Sequence, residues 1–148
     1  MVSEAQDRKL DEILTNACEA IGVDGGTVFV VDGDRLRFQV VRGEKSQRIK
    51  EMESQLTLQL GQGICGMVAK NGESLIVNDP EANPNFNPKV DLMTGFWSMS
   101  ILAVPIKTGD RVLGVIELVN KKVKFFTRED QSVLEGFAVR AAAALTEV

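Results

Sequence analysis

Two turn-centred alternations constrain this chain more than any other feature. Gly26 to Val31 (GTVFVV) is β-branched and apolar, Asp32-Gly33 is a hairpin turn signal, and Asp34 to Val41 returns with Leu36, Phe38 and Val40 alternating against Arg35, Arg37 and Gln39. Met99 to Ile106 and Arg111 to Val119 form a second apolar pair around Thr108-Gly109-Asp110. Short turns of this kind join antiparallel neighbours, whereas parallel strands need long crossovers. The sheet is therefore expected to be largely antiparallel.

Helices bracket these hairpins. Leu10, Ile13, Leu14, Ala17, Cys18 and Ile21 recur at helical spacing from Ser3 onward, and Gly22 stops the run. At the other end Thr127 can cap a helix, with Asp130 placed to reach back in a capping box. Val133, Leu134, Phe137, Ala138, Ala141, Ala142 and Leu145 form its apolar face, and the alanines from 141 to 144 permit close approach to the first helix or to that of a second copy.

The middle of the chain is more broken. Glu44 to Glu53 reads as a short helix or loop, and Leu56, Leu58 and Leu60 alternate as a third strand. Gly61-Gln62-Gly63 opens a short helix that ends at Asn71-Gly72, and Ser74 to Val77 is a short strand. Pro80, Pro84 and Pro88 mark a long loop that no regular strand can cross, with a helical turn around Val90 to Met93. The pattern predicts an α+β fold with helices layered on a sheet. It is expected as one domain over 1–148: a helix in 1–22, sheet and pocket in 23–126, and a helix in 127–148.

Composition narrows the chemistry. The 148 residues contain no histidine, which removes the usual general base and the usual zinc or haem ligand. Cys18 and Cys65 form no CxxC pair and read as small side chains of a reducing compartment. A net charge of -4 argues against nucleic acid as a partner, because phosphate binding needs a clustered basic surface. The dense basic group is Lys121, Lys122 and Lys124. No apolar run reaches the ~18–20 residues of a membrane span, and MVSEAQDRKL lacks a signal-peptide core. A cytoplasmic domain with no membrane partner is expected.

Three constellations and one candidate nucleophile remain. The helix after Gly61 and Gly63 presents unpaired N–H groups and a positive dipole end, a seat for an anion or simply a structural turn. Phe86, Phe96 and Trp97 gather aromatic area around the proline-rich loop, as a lid or as anchors for it. Lys121 and Asp130 can form an ion pair clamping a strand end to the last helix. Cys65 is the candidate nucleophile, since a helix N-terminus lowers a thiol pKa, but it lacks a base, and a buried apolar role is the alternative. No paired-carboxylate, triad or metal-ligand spacing stands out.

Taken together, GQGICGMVAKNGESLIVNDPEANPNF, VDLMTGFWSMSILAVPI and GVIELVNKK followed by FFTRED resemble a GAF domain of the cyclic-nucleotide phosphodiesterase and adenylyl cyclase type, from about Thr27 to Leu145. The Asn-Lys, Phe, Asp-Glu signature of that branch reads Asn120-Lys121, Phe126 and Asp130, with Gln131 where Glu is usual. The resemblance implies a six-stranded antiparallel sheet of the profilin-like, PAS-like kind, with terminal helices on one face and a ligand pocket on the other. In it Lys121 and Asp130 support the fold rather than touch ligand. By position it implies a pocket lined by Thr27, Val41, Arg42, Ile64, Cys65, Thr94, Ser98 and Glu117. Val41 stands where some members stack a purine on phenylalanine, and Arg42 offers a partner for a base edge or a phosphate.

The expected function is a non-catalytic regulatory sensor that binds cAMP or cGMP, with no other cofactor and no metal, and signals through its terminal helices as a homodimer, with an output domain in a longer chain. The alternatives are a GAF sensor of another small molecule, a dimerisation module with an empty pocket, and a cysteine-based free methionine sulfoxide reductase.

Overall fold

The computed structural model describes residues 2–147 apart from Lys45, Ser54, Gln55, Thr57 and Phe96. Its elements are α1 (Glu4–Ile21), β1 (Val23–Asp32), β2 (Arg35–Gly43), α2 (Ser46–Glu51), β3 (Leu58–Gln59), α3 (Gly63–Asn71), β4 (Leu75–Val77), α4 (Lys89–Thr94), β5 (Ile101–Thr108), β6 (Arg111–Lys121) and α5 (Arg128–Leu145). The six strands form one antiparallel sheet in the order β3-β2-β1-β6-β5-β4. Both expected hairpins are present, and the outermost strands are short.

The helix limits follow from capping. Ser3 and Gln6 form a capping box at the start of α1, and Gly22, at φ 81°, closes its end by donating its N–H to Cys18 O. Thr127 and Asp130 form the second box: Asp130 N donates to Thr127 Oγ1 at 3.1 Å, and Thr127 N to Asp130 Oδ2 at 2.9 Å. Both termini thus satisfy donors that would otherwise be orphaned.

The terminal helices share one face of the sheet. Leu10, Leu14 and Ala17 of α1 and Leu134, Ala138 and Ala141 of α5 pack with Val28, Val40, Leu102, Val104, Ile116 and Leu118 into one buried cluster. A Cβ at Gly26 would fall 3.0 Å from Leu14 and 2.8 Å from Leu118, so glycine lets α1 settle close to β1. The alanine run packs α5 against α1 of the same chain, where Gln6 Nε2 donates to Ala144 O at 3.0 Å.

Two expectations are corrected. The third strand from Leu56 to Leu60 shrinks to Leu58–Gln59, and Leu56 is instead buried with Phe38, Ile64 and Val68 on the second face. Strand β5 begins at Ile101 rather than Met99. The N–H groups of Met99 and Ser100 donate to the side-chain Oδ1 of Asn120, at 2.6 and 3.3 Å, in place of a ladder partner.

Candidate functional site

The second face of the sheet is only partly covered by apolar side chains. Thr27 lies directly opposite Val41 on one side and Glu117 on the other, so the pleat points all three away from the terminal helices. Phe29, Phe38, Ile101 and Val119 extend this floor. Helices α3 and α4 and the loop around Phe86 and Asn87 form the remaining walls of a cavity of about 90 Å³.

Helix α3 is brought to the floor by its glycines. Gly61 and Gly63 have φ of 85° and 71°, which turns the chain sharply out of β3. A Cβ at Gly66 would stand 2.4 Å from Gln59 O, so only glycine lets the helix back onto that strand. Gln62 caps α3 without a side-chain hydrogen bond, and the helix start faces the cavity with Ile64 and Cys65.

The polar groups bordering the cavity are mixed: the carboxyls of Glu44, Asp91 and Glu117, the hydroxyls of Thr27, Thr94 and Ser98, the amides of Gln62 and Asn87, and the Cys65 thiol. Cys65 Sγ donates to Glu117 Oε2 at 3.2 Å. Glu117 opens onto the cavity yet is enclosed by protein, and burial pushes its carboxyl up to about 7, countered in part by the Cys65 hydrogen bond and reinforced by Asp91. Burial, with Glu117 beside it, raises the Cys65 thiol well above its ordinary value. A thiol held in its neutral form is a poor nucleophile, so the buried reading of Cys65 prevails over the catalytic one. Cys18 belongs to the helix face, where burial pushes it up to about 11.

Asp91 was not expected from the sequence. Its α4 helix presents positions three apart on one face, so Asp91 and Thr94 are buried together. Ser98 donates to Asp91 through both its N–H (2.8 Å) and its hydroxyl (3.0 Å). Burial raises the Asp91 carboxyl, and the two Ser98 bonds partly oppose this. The available signal was an acid three residues before Thr94 and seven before Ser98 in an otherwise apolar segment.

All eight positions expected to line a pocket border this cavity: Thr27, Val41, Arg42, Ile64, Cys65, Thr94, Ser98 and Glu117. They are not all free to serve it. The Ser98 hydroxyl is engaged by Asp91, and Thr94 Oγ1 donates to Val90 O at 2.7 Å. The guanidinium of Arg42 is drawn to Asp11 of α1, with Nε–Oδ1 2.8 Å and Nη2–Oδ2 2.6 Å. Arg42 alternates with Val41 along β2, so it emerges on the helix side of the sheet. Thr27 is buried in the middle of the sheet, between Val41 and Glu117 on the neighbouring strands. Of the expected lid aromatics, Phe86 lines the cavity and Trp97 is exposed, while Phe96 lies outside the described residues.

Behind the cavity, the end of β6 is locked to its surroundings. Lys121 Nζ forms an ion pair with Asp130, and both side chains are largely shielded. Asn120, at φ 60°, accepts from Met99 N and donates to Trp97 O at 2.8 Å, tying the segment before β5 to the end of β6. Phe126 is buried, and Asn78 grips its backbone by accepting from its N–H at 3.0 Å and donating to its carbonyl at 3.1 Å. The family model described as GAF domain matches residues 6–146. The chain belongs to the GAF domain family.

Relatives of this GAF domain include a probable 3',5'-cyclic phosphodiesterase of Caenorhabditis elegans, 30% identical over 148 residues, covering 95% of the chain and 20% of the relative. A dual 3',5'-cyclic-AMP and -GMP phosphodiesterase of Takifugu rubripes is 29% identical over 135 residues, covering 84% of the chain and 15% of the relative. The chain thus spans a fifth or less of these relatives. Among solved structures, the GAF domain of a Coxiella burnetii phosphoenolpyruvate-protein phosphotransferase is 20% identical with a TM-score of 0.80, covering 97% of this chain and 83% of that one. A type II free methionine-R-sulfoxide reductase from Thermoplasma acidophilum is 19% identical with a TM-score of 0.78, covering 96% and 93%. At these identities the likeness concerns the fold alone.

Proposed function

We propose that this GAF domain is a regulatory, non-catalytic sensor whose cavity takes a cyclic nucleotide, and that it acts within a longer signalling protein of the reducing cytoplasm. The observation carrying the reading is the assembled brace of Asn120, Lys121, Phe126 and Asp130, which joins the cavity's strand, its lid and helix α5. Relatives named as cyclic phosphodiesterases over this same stretch support the ligand class. The cavity of about 90 Å³ is small beside the ~300–1,000 Å³ of pockets for drug-sized ligands. A nucleotide therefore enters with outward movement of α4 and the adjoining loop, and that movement reaches α5 through Asn120 and Lys121. Terminal helices α1 and α5 then carry the signal to a second copy. Isothermal calorimetry with cAMP and cGMP on nucleotide-free protein tests the reading: saturable heat with either supports it, and neither heat nor a thermal shift at millimolar ligand overturns it.

A second reading draws on Val41 and Arg42. The floor offers no aromatic at Val41, and the guanidinium of Arg42 is engaged by Asp11, so the described groups bordering the cavity are carboxyls, hydroxyls, the Gln62 and Asn87 amides and apolar walls. That set suits a small polar ligand carrying both hydrogen-bond donors and acceptors. Native mass spectrometry of protein taken from cells distinguishes the readings by the bound mass, and an empty dimer would favour a purely dimerising role. The reductase reading loses support, because the Cys65 thiol is held neutral and Cys18 lies on the opposite face of the sheet.

A further inference from the structure

Four large apolar side chains at one end of the sheet are unaccounted for by the cavity or the core. Trp97, Met99, Val123 and Phe125 are between 61% and 70% exposed. Their backbones lie at the same end of the sheet: Asn120 bonds the backbone of both Trp97 and Met99, and Val123 and Phe125 follow it within a few residues.

Their exposure is built in. Asn120 and Lys124 both adopt left-handed backbone, at φ 60° and 61°, a conformation that costs a non-glycine residue energy and persists when its surroundings enforce it. The enforcing contacts are on either side of the loop: Lys122 N donates to Gly22 O at 2.9 Å, Lys121 pairs with Asp130, and Asn78 grips Phe126. Phe126 is thereby buried while Phe125 is turned to solvent.

The loop itself carries charge opposite to the chain's. Lys122, Lys124 and Arg128 have no ion-pair partner among the described residues, Lys121 and Asp130 neutralise each other, and the acids near them are Glu129 and, from the neighbouring elements, the exposed Asp24 and Glu19. The molecule as a whole carries -4. A symmetric contact between two such tips would bring like charges together, which disfavours a second copy. Lysine is depleted from protein interfaces, whereas tryptophan, phenylalanine and lysine together are the composition of membrane–water interfaces.

We infer that the tip formed by Trp97, Met99, Val123 and Phe125, ringed by Lys122, Lys124 and Arg128, docks on an anionic phospholipid bilayer. The apolar side chains enter the headgroup region and the lysines meet the lipid charge. The expectation of no membrane partner rested on the lack of a spanning run, and no helix among the described residues is long and apolar enough to cross a membrane. A peripheral contact of this kind needs none. It is independent of what the cavity binds.

The test is vesicle co-sedimentation at low salt with phosphatidylcholine vesicles, with and without phosphatidylserine. Trp97 is the single tryptophan, so its fluorescence reports insertion without a label. The expected result is binding to phosphatidylserine vesicles alone, a blue shift of Trp97 emission, and release at high salt. Replacing both Lys122 and Lys124 by alanine should weaken binding ~30-fold, from the usual contribution of a basic residue near an anionic surface. Phe125→Ala should remove most of the rest while leaving the melting temperature unchanged, because the side chain is exposed. Absence of binding, equal binding to neutral vesicles, or self-association abolished by Phe125→Ala overturns the proposal.

Discussion

The helix face of the sheet is closed by Leu10, Leu14, Ala17, Leu134, Ala138 and Ala141, all apolar and all buried. The opposite face starts from the same strand alternation but sets Thr27, Glu117, Cys65 and Asp91 among its apolar groups and leaves a cavity between them. The first arrangement maximises burial and dispersion contacts. The second accepts desolvated carboxyls, whose raised proton affinities record the cost. One face stabilises the fold, and the other holds polar groups in fixed positions at the expense of stability.

The comparison can be broken most directly at the helix face. Leu14→Ala should cost ~2–5 kcal/mol in chemical denaturation, as for other fully buried leucines. A loss below 1 kcal/mol would mean that this face is less tightly packed than described.

Glu117→Gln should act in the opposite direction. Its carboxyl titrates at about 7 when folded and at 4.5 otherwise, so the folded state binds the extra proton between those values, and stability rises as pH falls from about 7 to 4.5. The glutamine variant lacks that dependence and should be more stable than the parent at pH 8, by ~3 kcal/mol at most. Denaturation at pH 8 and pH 5 checks this, and a parent protein with no difference between the two would remove Glu117 as a buried acid.

At the brace joining the two faces, Lys121→Ala should cost ~1–3 kcal/mol near neutral pH, since it strands a largely shielded Asp130. Asp130 is held below its ordinary value by hydrogen bonds from Lys121 and Thr127, against a desolvation that alone would raise it. Its contribution is present above the ordinary carboxylate range and lost as pH falls through the depressed value, so parent and variant should converge in acid. The smallest effect is expected at the pair of Arg42 and Asp11, whose side chains are 46% and 39% exposed. Asp11→Asn should change stability by ~0–1 kcal/mol after solvent screening. If it alters ligand affinity, Arg42 reaches the cavity once released.

Much of this is legible in the sequence. Asp32-Gly33 and Gly109-Asp110 declared the hairpins, Gly22 and Thr127 the helix limits, and Lys121 and Asp130 their pairing, because each depends on residues close in sequence or on a turn with strict backbone demands. The cavity positions were reached through family resemblance instead. Asp91 was missed because its burial depends on how α4 lies over the sheet, and α4 is too short to show a clear apolar face. The shortening of β3 and the late start of β5 were equally hidden, since side-chain hydrogen bonds and core packing replaced ladder pairing there.

By itself, then, the sequence determined the element order, the antiparallel hairpins, the capped terminal helices and the absence of histidine chemistry, all of them set by local backbone preference or composition. Tertiary structure alone decided that Arg42 turns to Asp11 while its neighbour Val41 faces the cavity, that Cys65 meets Glu117 across 52 residues, and that Phe125 is exposed while Phe126 is buried. Adjacent residues on a strand or tight loop point to opposite sides. Which side becomes core, cavity or solvent is fixed only when the helices and lid are laid against the sheet.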